Sequence, residues 1–131
     1  MAFKILEHTA DVGVIATGKT YGQALEEAAL GMFSFMGKGK AHEKEKLEIS
    51  VERERKDELV VFLLSEILAQ CEAESFAPAK MRVKEYDGTR ISVEVSGERK
   101  TPGNIIKAVT FHMLEVNEGK EVWKIQVLFD I

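Results

Sequence analysis

Apolar residues recur along this chain at two periods, and the switches between them outline its elements. Phe3 to Glu7 alternates apolar and polar positions, and so does Asp11 to Thr17, which predicts two strands. Gly18 breaks the second. Thr20-Tyr21-Gly22-Gln23 has the form of a capping box, in which the threonine and glutamine side chains each satisfy a free amide. Behind it Tyr21, Ala24, Leu25, Ala28, Met32, Phe33 and Met36 recur at helical spacing, and Gly37 suits the left-handed turn that ends a helix.

Gly37 to Lys46 is polar and reads as an exposed loop. Leu47, Ile49 and Val51 then alternate with Glu48, Ser50 and Glu52 as a half-buried strand. Every residue from Glu52 to Glu58 is charged, as expected of a solvated turn. Asp57 is placed to cap a second helix from Glu58 to about Glu72. Its face of Leu59, Val60, Phe62, Leu63, Leu64, Ile67, Leu68 and Cys71 is broad enough to require burial. Ala79 to Tyr86 and Arg90 to Ser96 flank Asp87-Gly88, a favoured hairpin turn, and Gly97 to Asn104 is a polar connection. Ile105 to Val116 opens like a helical turn, but its β-branched and aromatic residues from Val109 favour a strand. A turn at Asn117-Glu118-Gly119 leads to a last apolar strand, Val122 to Phe129. This pattern predicts one α+β domain over residues 1–131, with a mainly antiparallel or mixed β-sheet packed by two principal helices. The two terminal strands are expected to meet.

Composition narrows the function more than the fold. The 131 residues are 45% hydrophobic and 31% charged, enough for one core in an ordinary globular protein. No apolar run approaches the ~20 residues needed to cross a bilayer, and no secretory signal pattern is visible, so a cytoplasmic location without membrane attachment is expected. One cysteine, Cys71, excludes an internal disulfide; it falls in register with Val60, Leu64 and Ile67 and reads as a small core residue rather than a nucleophile. A net charge of −4 without a basic stripe leaves little expectation of direct nucleic-acid binding.

Two acids stand apart. Asp11 and Asp130 each lie beside apolar residues at a strand end, where an unpaired carboxylate is costly to bury. A backbone amide or a lysine is one solution, and a bound cation is the other. The two side chains with the carboxylate of Ile131 form a hard oxygen set without sulfur, which suits calcium, magnesium or manganese better than zinc. His8, with Thr9 and Asp11 close by, is either a hydrogen-bonded structural residue or a ligand or base. Lys107, Thr110 and His112 form a second polar group. In a strand Thr110 and His112 would share a face, and in a helix Lys107 and Thr110 would. Gly37-Lys38-Gly39-Lys40 lacks the spacing of a phosphate-cradling loop, and no serine elbow or zinc-binding cysteine pair is present. The chain holds no complete catalytic set, which favours an accessory protein over an enzyme.

Four segments together resemble the archease family: Glu7-His8-Thr9-Ala10-Asp11-Val12-Gly13, Ala28-Ala29-Leu30-Gly31-Met32-Phe33, Lys107-Ala108-Val109-Thr110-Phe111-His112 and Phe129-Asp130-Ile131. They span the chain in the family's order, and the first and last are the most specific. The resemblance implies an activator of the RtcB-type tRNA-splicing ligase, promoting the guanylylation on which that ligase's repeated turnover depends. It also implies a metal site on Asp11, Asp130 and Ile131, with calcium the expected occupant. His8, Lys107 and His112 become candidates for orienting Asp11 or touching the ligase. The competing classes are a small metal-dependent hydrolase with His8 as base, and a general chaperone.

Overall fold

The computed structural model describes residues 2–7, 11–37 and 42–131. The elements in chain order are β1 (Ala2–Glu7), β2 (Asp11–Gly18), α1 (Tyr21–Phe33), β3 (Glu45–Glu52), α2 (Lys56–Ala73), β4 (Phe76–Tyr86), β5 (Arg90–Arg99), β6 (Ala108–Glu118) and β7 (Trp123–Asp130). The expected α+β class, with two helices and antiparallel pairing, is what forms. The strands divide between two sheets: one of four in the order β1-β2-β7-β6, the other of three in the order β3-β5-β4. The larger sheet is two hairpins, one from each end of the chain, joined by antiparallel pairing of β2 with β7.

The helices fill the space between the sheets. Helix α1 packs on β1, β2 and β7 of the larger sheet and on β4 of the smaller, while α2 packs on β6 of one and on β3 and β4 of the other. One apolar core results, drawing Val14 and Phe129 from the larger sheet, Val93 and Val95 from the smaller, and Leu25 and Leu64 from the helices. Small residues let α1 approach β2 closely. A Cβ added at Gly31 would stand 2.7 Å from a Val14 methyl, so glycine at that position is a packing requirement.

Local chemistry sets the boundaries. Thr20 caps α1, its hydroxyl accepting from the Gln23 amide at 3.1 Å. The Gln23 side chain reaches one residue further back than a standard box, accepting from the Lys19 amide at 3.0 Å. The helix ends at Phe33, earlier than the apolar pattern suggests, because Ser34 turns its hydroxyl onto the Gly31 carbonyl at 2.6 Å. Met36 is still buried, but from a turn, and Gly37 does not adopt the left-handed conformation. Residues 38–41, within the expected loop, lie outside the described residues.

Helix α2 begins at Lys56, with Arg55 rather than Asp57 in the capping position. Asp57 sits in the first turn, where its charge complements the helix dipole, and it pairs with Arg55 at 2.6 Å. Val61 is buried and Phe62, expected on the buried face, is exposed. Cys71 is fully buried, and burial first, with the Glu72 charge second, pushes its thiol up to about 12. The hairpin forms where expected, but its two-residue turn is Gly88-Thr89 rather than Asp87-Gly88: the Asp87 amide bonds the Arg90 carbonyl, Gly88 takes φ 105°, and the Asp87 side chain accepts from the Thr89 and Arg90 amides.

Candidate functional site: an acid pair where the terminal strands meet

The two acids singled out in the sequence are direct cross-strand partners. Asp11 opens β2, Asp130 closes β7, and the register sets one opposite the other. On the same strands Val12, Val14 and Ala16, with Ile125, Val127 and Phe129, belong to the core. Alternation therefore carries Asp11 and Asp130 to the opposite face of the sheet, side by side. Cross-strand partners hold their Cβ atoms about 5 Å apart, and like charges so placed destabilise a sheet.

Nothing among the described residues relieves this. Neither carboxylate has an ion-pair partner there, and Asp11 Oδ1 is buried without a hydrogen bond. Leaving a buried acceptor unsatisfied costs about 1–3 kcal/mol, and more for a charged one. On the far side of β7, Asp130 faces Ala108 at the start of β6, and its carbonyl accepts from the Lys107 amide at 2.7 Å. Three segments distant in sequence are thereby fixed at one sheet end.

The remaining candidates fall as follows. Lys107 is exposed and stands just before β6, beside the acid pair, lining a groove of about 340 Å³ between α2 and β6 with Leu68, Ala69 and Glu72. Thr110 pairs with Leu128, but the register then slips until Glu115 meets Gln126. Simple alternation therefore does not relate Thr110 to His112. The His112 amide instead bonds the Thr110 hydroxyl at 3.3 Å, and its side chain is exposed. Ile131 follows Asp130 and is partly exposed. His8 and Thr9 lie outside the described residues.

The residues fit a hard cation in donor chemistry and in their unsatisfied state: two adjacent carboxylates, one with a buried orphan oxygen. Among the described residues no three His, Cys, Asp or Glu side chains gather as a metal cluster, and Asp11 and Asp130 are the two that adjoin. A larger groove, about 600 Å³, lies at the other end of β7, beside Trp123. Its charged lining mixes both signs, Arg55 and Lys56 with Asp57, Glu115 and Glu118, and Arg55 pairs with Asp57.

Phe111 and Phe62 are features the sequence reading missed. Phe111 lies in the irregular stretch of β6 and stacks edge-on with Phe62 of α2 at 6.2 Å, both exposed. A β-bulge of this size leaves no signature in periodicity.

A small two-sheet α+β protein whose terminal strands end in an acid pair is thus defined. The family model described as "Archease protein family (MTH1598/TM1083)" matches residues 3–131, and the chain belongs to the archease family. It is 34% identical to a protein archease of Methanosarcina acetivorans, covering 98% of this chain and 95% of that one. A protein archease of Thermococcus kodakarensis is also 34% identical, over 86% and 85% of the two chains. Among solved structures, protein 1598 of Methanobacterium thermoautotrophicum superposes with a TM-score of 0.80 at 27% identity, covering 98% of each chain. An archease from Thermotoga maritima, named a possible chaperone, gives 0.73 at 27% identity, covering 96% and 94%. Among the described residues, no helix is long and apolar enough to cross a membrane.

Proposed function

We propose that this chain is an accessory activator of an RtcB-type tRNA-splicing RNA ligase and acts through a cation held at the acid pair. The observation that carries the reading is the Asp11–Asp130 register, because it places two unneutralised carboxylates together with a buried orphan oxygen. Membership of the archease family supplies the context, and the donor set suits calcium, or magnesium or manganese. Asp11 and Asp130 would hold the ion, with Ile131 adding main-chain oxygens. Once bound, it supplies positive charge with open coordination positions, which suits phosphate oxygens.

The protein's own residues perform the rest. The β2–β7 pairing fixes both carboxylates on a rigid sheet end. The Lys107 amide restrains Asp130 through its carbonyl. Such an end, presented to the ligase, would organise the triphosphate of the guanylyl donor, where charge neutralisation governs phosphoryl and nucleotidyl transfer. The protein would perform no chemistry itself, and direct RNA contact would be minor.

Multi-turnover RNA ligation by the cognate ligase, with and without this protein, tests the proposal. The wild-type chain should sustain turnover beyond one round, and Asp11→Ala and Asp130→Ala should lose that effect while still binding the ligase. Full activation by both variants would end this account. Turnover of phosphate esters by the purified chain alone would favour the hydrolase instead.

A further inference from the structure

The irregularity in β6 forms a raised apolar knuckle at the free edge of the larger sheet. Between Thr110 and Glu115 the strand loses register with β7. Phe111 and Met113 stand 54% and 48% exposed. Met113 has φ 54°, a left-handed conformation that a branchless but bulky side chain rarely adopts. Strain of this kind persists only where the surroundings hold it. Here Gln126 donates to the Met113 carbonyl at 2.9 Å, and the Thr110 hydroxyl accepts from the His112 amide. Beside the knuckle, Phe62 packs on Phe111, and the Arg53 guanidinium lies 3.8 Å from the Phe62 ring centre. Exposed aromatic, methionine and arginine side chains in one place are the composition of an interface centre.

We propose that this knuckle, Phe111 and Met113 with Phe62 and Arg53, is where the ligase docks, taking the two apolar side chains into a pocket with a carboxylate opposite Arg53. The proposal rests on the ligase reading above. Three observations select this occupant. Arg53 donates to the Glu52 carbonyl at 2.7 Å but has no ion-pair partner among the described residues, so its charge is available to a carboxylate from outside. Glu58 and Glu66, one helical turn to either side of Phe62, oppose a phosphate backbone, so a protein fits better than RNA. The knuckle also interrupts the free edge of the sheet, which blocks strand-to-strand pairing with a second copy.

Position supplies the link to the acid pair. Ala108, directly across from Asp130, precedes Phe111 by three residues, or roughly 10 Å along a strand. Phe111 turns toward α2 while Asp130 lies on the sheet's other face, so a partner engaging both would wrap around the free edge at β6.

The test is the affinity of the cognate ligase for the wild-type chain, Phe111→Ala and Met113→Gly, measured by calorimetry, with thermal melting as a fold control. Met113→Gly removes the side chain and the left-handed strain together, so it can fold where another change would not. Both variants should melt as the wild type does, bind at least about tenfold more weakly and recover full activation at high concentration. Wild-type affinity in both, alongside normal activation by the wild type, would overturn the docking surface and leave the ligase reading intact. A wild-type chain that neither binds nor activates the ligase would overturn both. Self-association abolished by Phe111→Ala, with ligase affinity unchanged, would assign the knuckle to a second copy and refute the proposal.

Discussion

Asp11 and Glu94 are both carboxylates on sheet faces, and the protein treats them in opposite ways. Glu94, in the middle strand of the smaller sheet, stands 3.3 Å from Lys46, 3.7 Å from Arg82 and 3.4 Å from Lys84. Serines surround it on the same face, two of them hydrogen-bonded to each other as Ser50 and Ser92 at 2.9 Å. Three cations answer Glu94, although its own cross-strand partner is another acid, Glu48. In the larger sheet Asp11 also faces another acid, but it has a buried oxygen without a partner and closes no network among the described residues. A closed polar network holds a structure together, whereas an open one holds a place for something else. The same fold therefore closes the polar network on one sheet and leaves it open on the other.

The sharpest way to break that contrast is to remove the Asp11 carboxylate and ask whether the protein misses it. Asp11→Val replaces an unsatisfied acid at the end of a strand with a residue that suits strands. Melted in the presence of a chelator, this variant should gain about 1 kcal/mol of stability relative to the wild type. A loss of similar size would mean that Asp11 is structural and the contrast false.

A smaller effect should appear at Glu94. Burial alone would raise its carboxyl, but the hydrogen bond from Lys46 and the charges of Lys46 and Lys84 outweigh burial and hold it below the usual range. A group depressed in the folded state stabilises above its unfolded value, about 4.3, and that contribution is lost as pH falls through the folded value. Glu94→Gln should therefore lose less stability than the wild type on acidification below about pH 4.3, with parallel melting curves near neutrality. Identical acid limbs would show that the cluster is only a surface arrangement of little worth.

Much of this was legible because local pattern and tertiary structure agree. Strand alternation, the Thr20 cap and a hairpin at Gly88 are each specified over a few residues, and the structure keeps them, with the turn one residue later than Asp87-Gly88. The meeting of Asp11 and Asp130 was also foreseeable, since two terminal strands with acids at matching ends have few other arrangements. The rest depended on contacts distant in sequence. Which strand joins which sheet is decided by how α1 and α2 pack between them, and no local period records that. Phe62 escaped the core because α2 rotates to bury Val61 instead. The slip after Thr110 is fixed by Gln126, a residue on another strand.

The central claim is that Asp11 and Asp130 jointly bind a hard cation, and binding to the folded state must raise its stability. The direct measurement is the melting temperature of the chelator-treated protein as calcium is added, for the wild type, Asp11→Asn and Asp130→Asn. The account predicts a rise with calcium concentration in the wild type and none in either variant. A wild-type curve that ignores calcium, or variants that rise with it, would contradict the account.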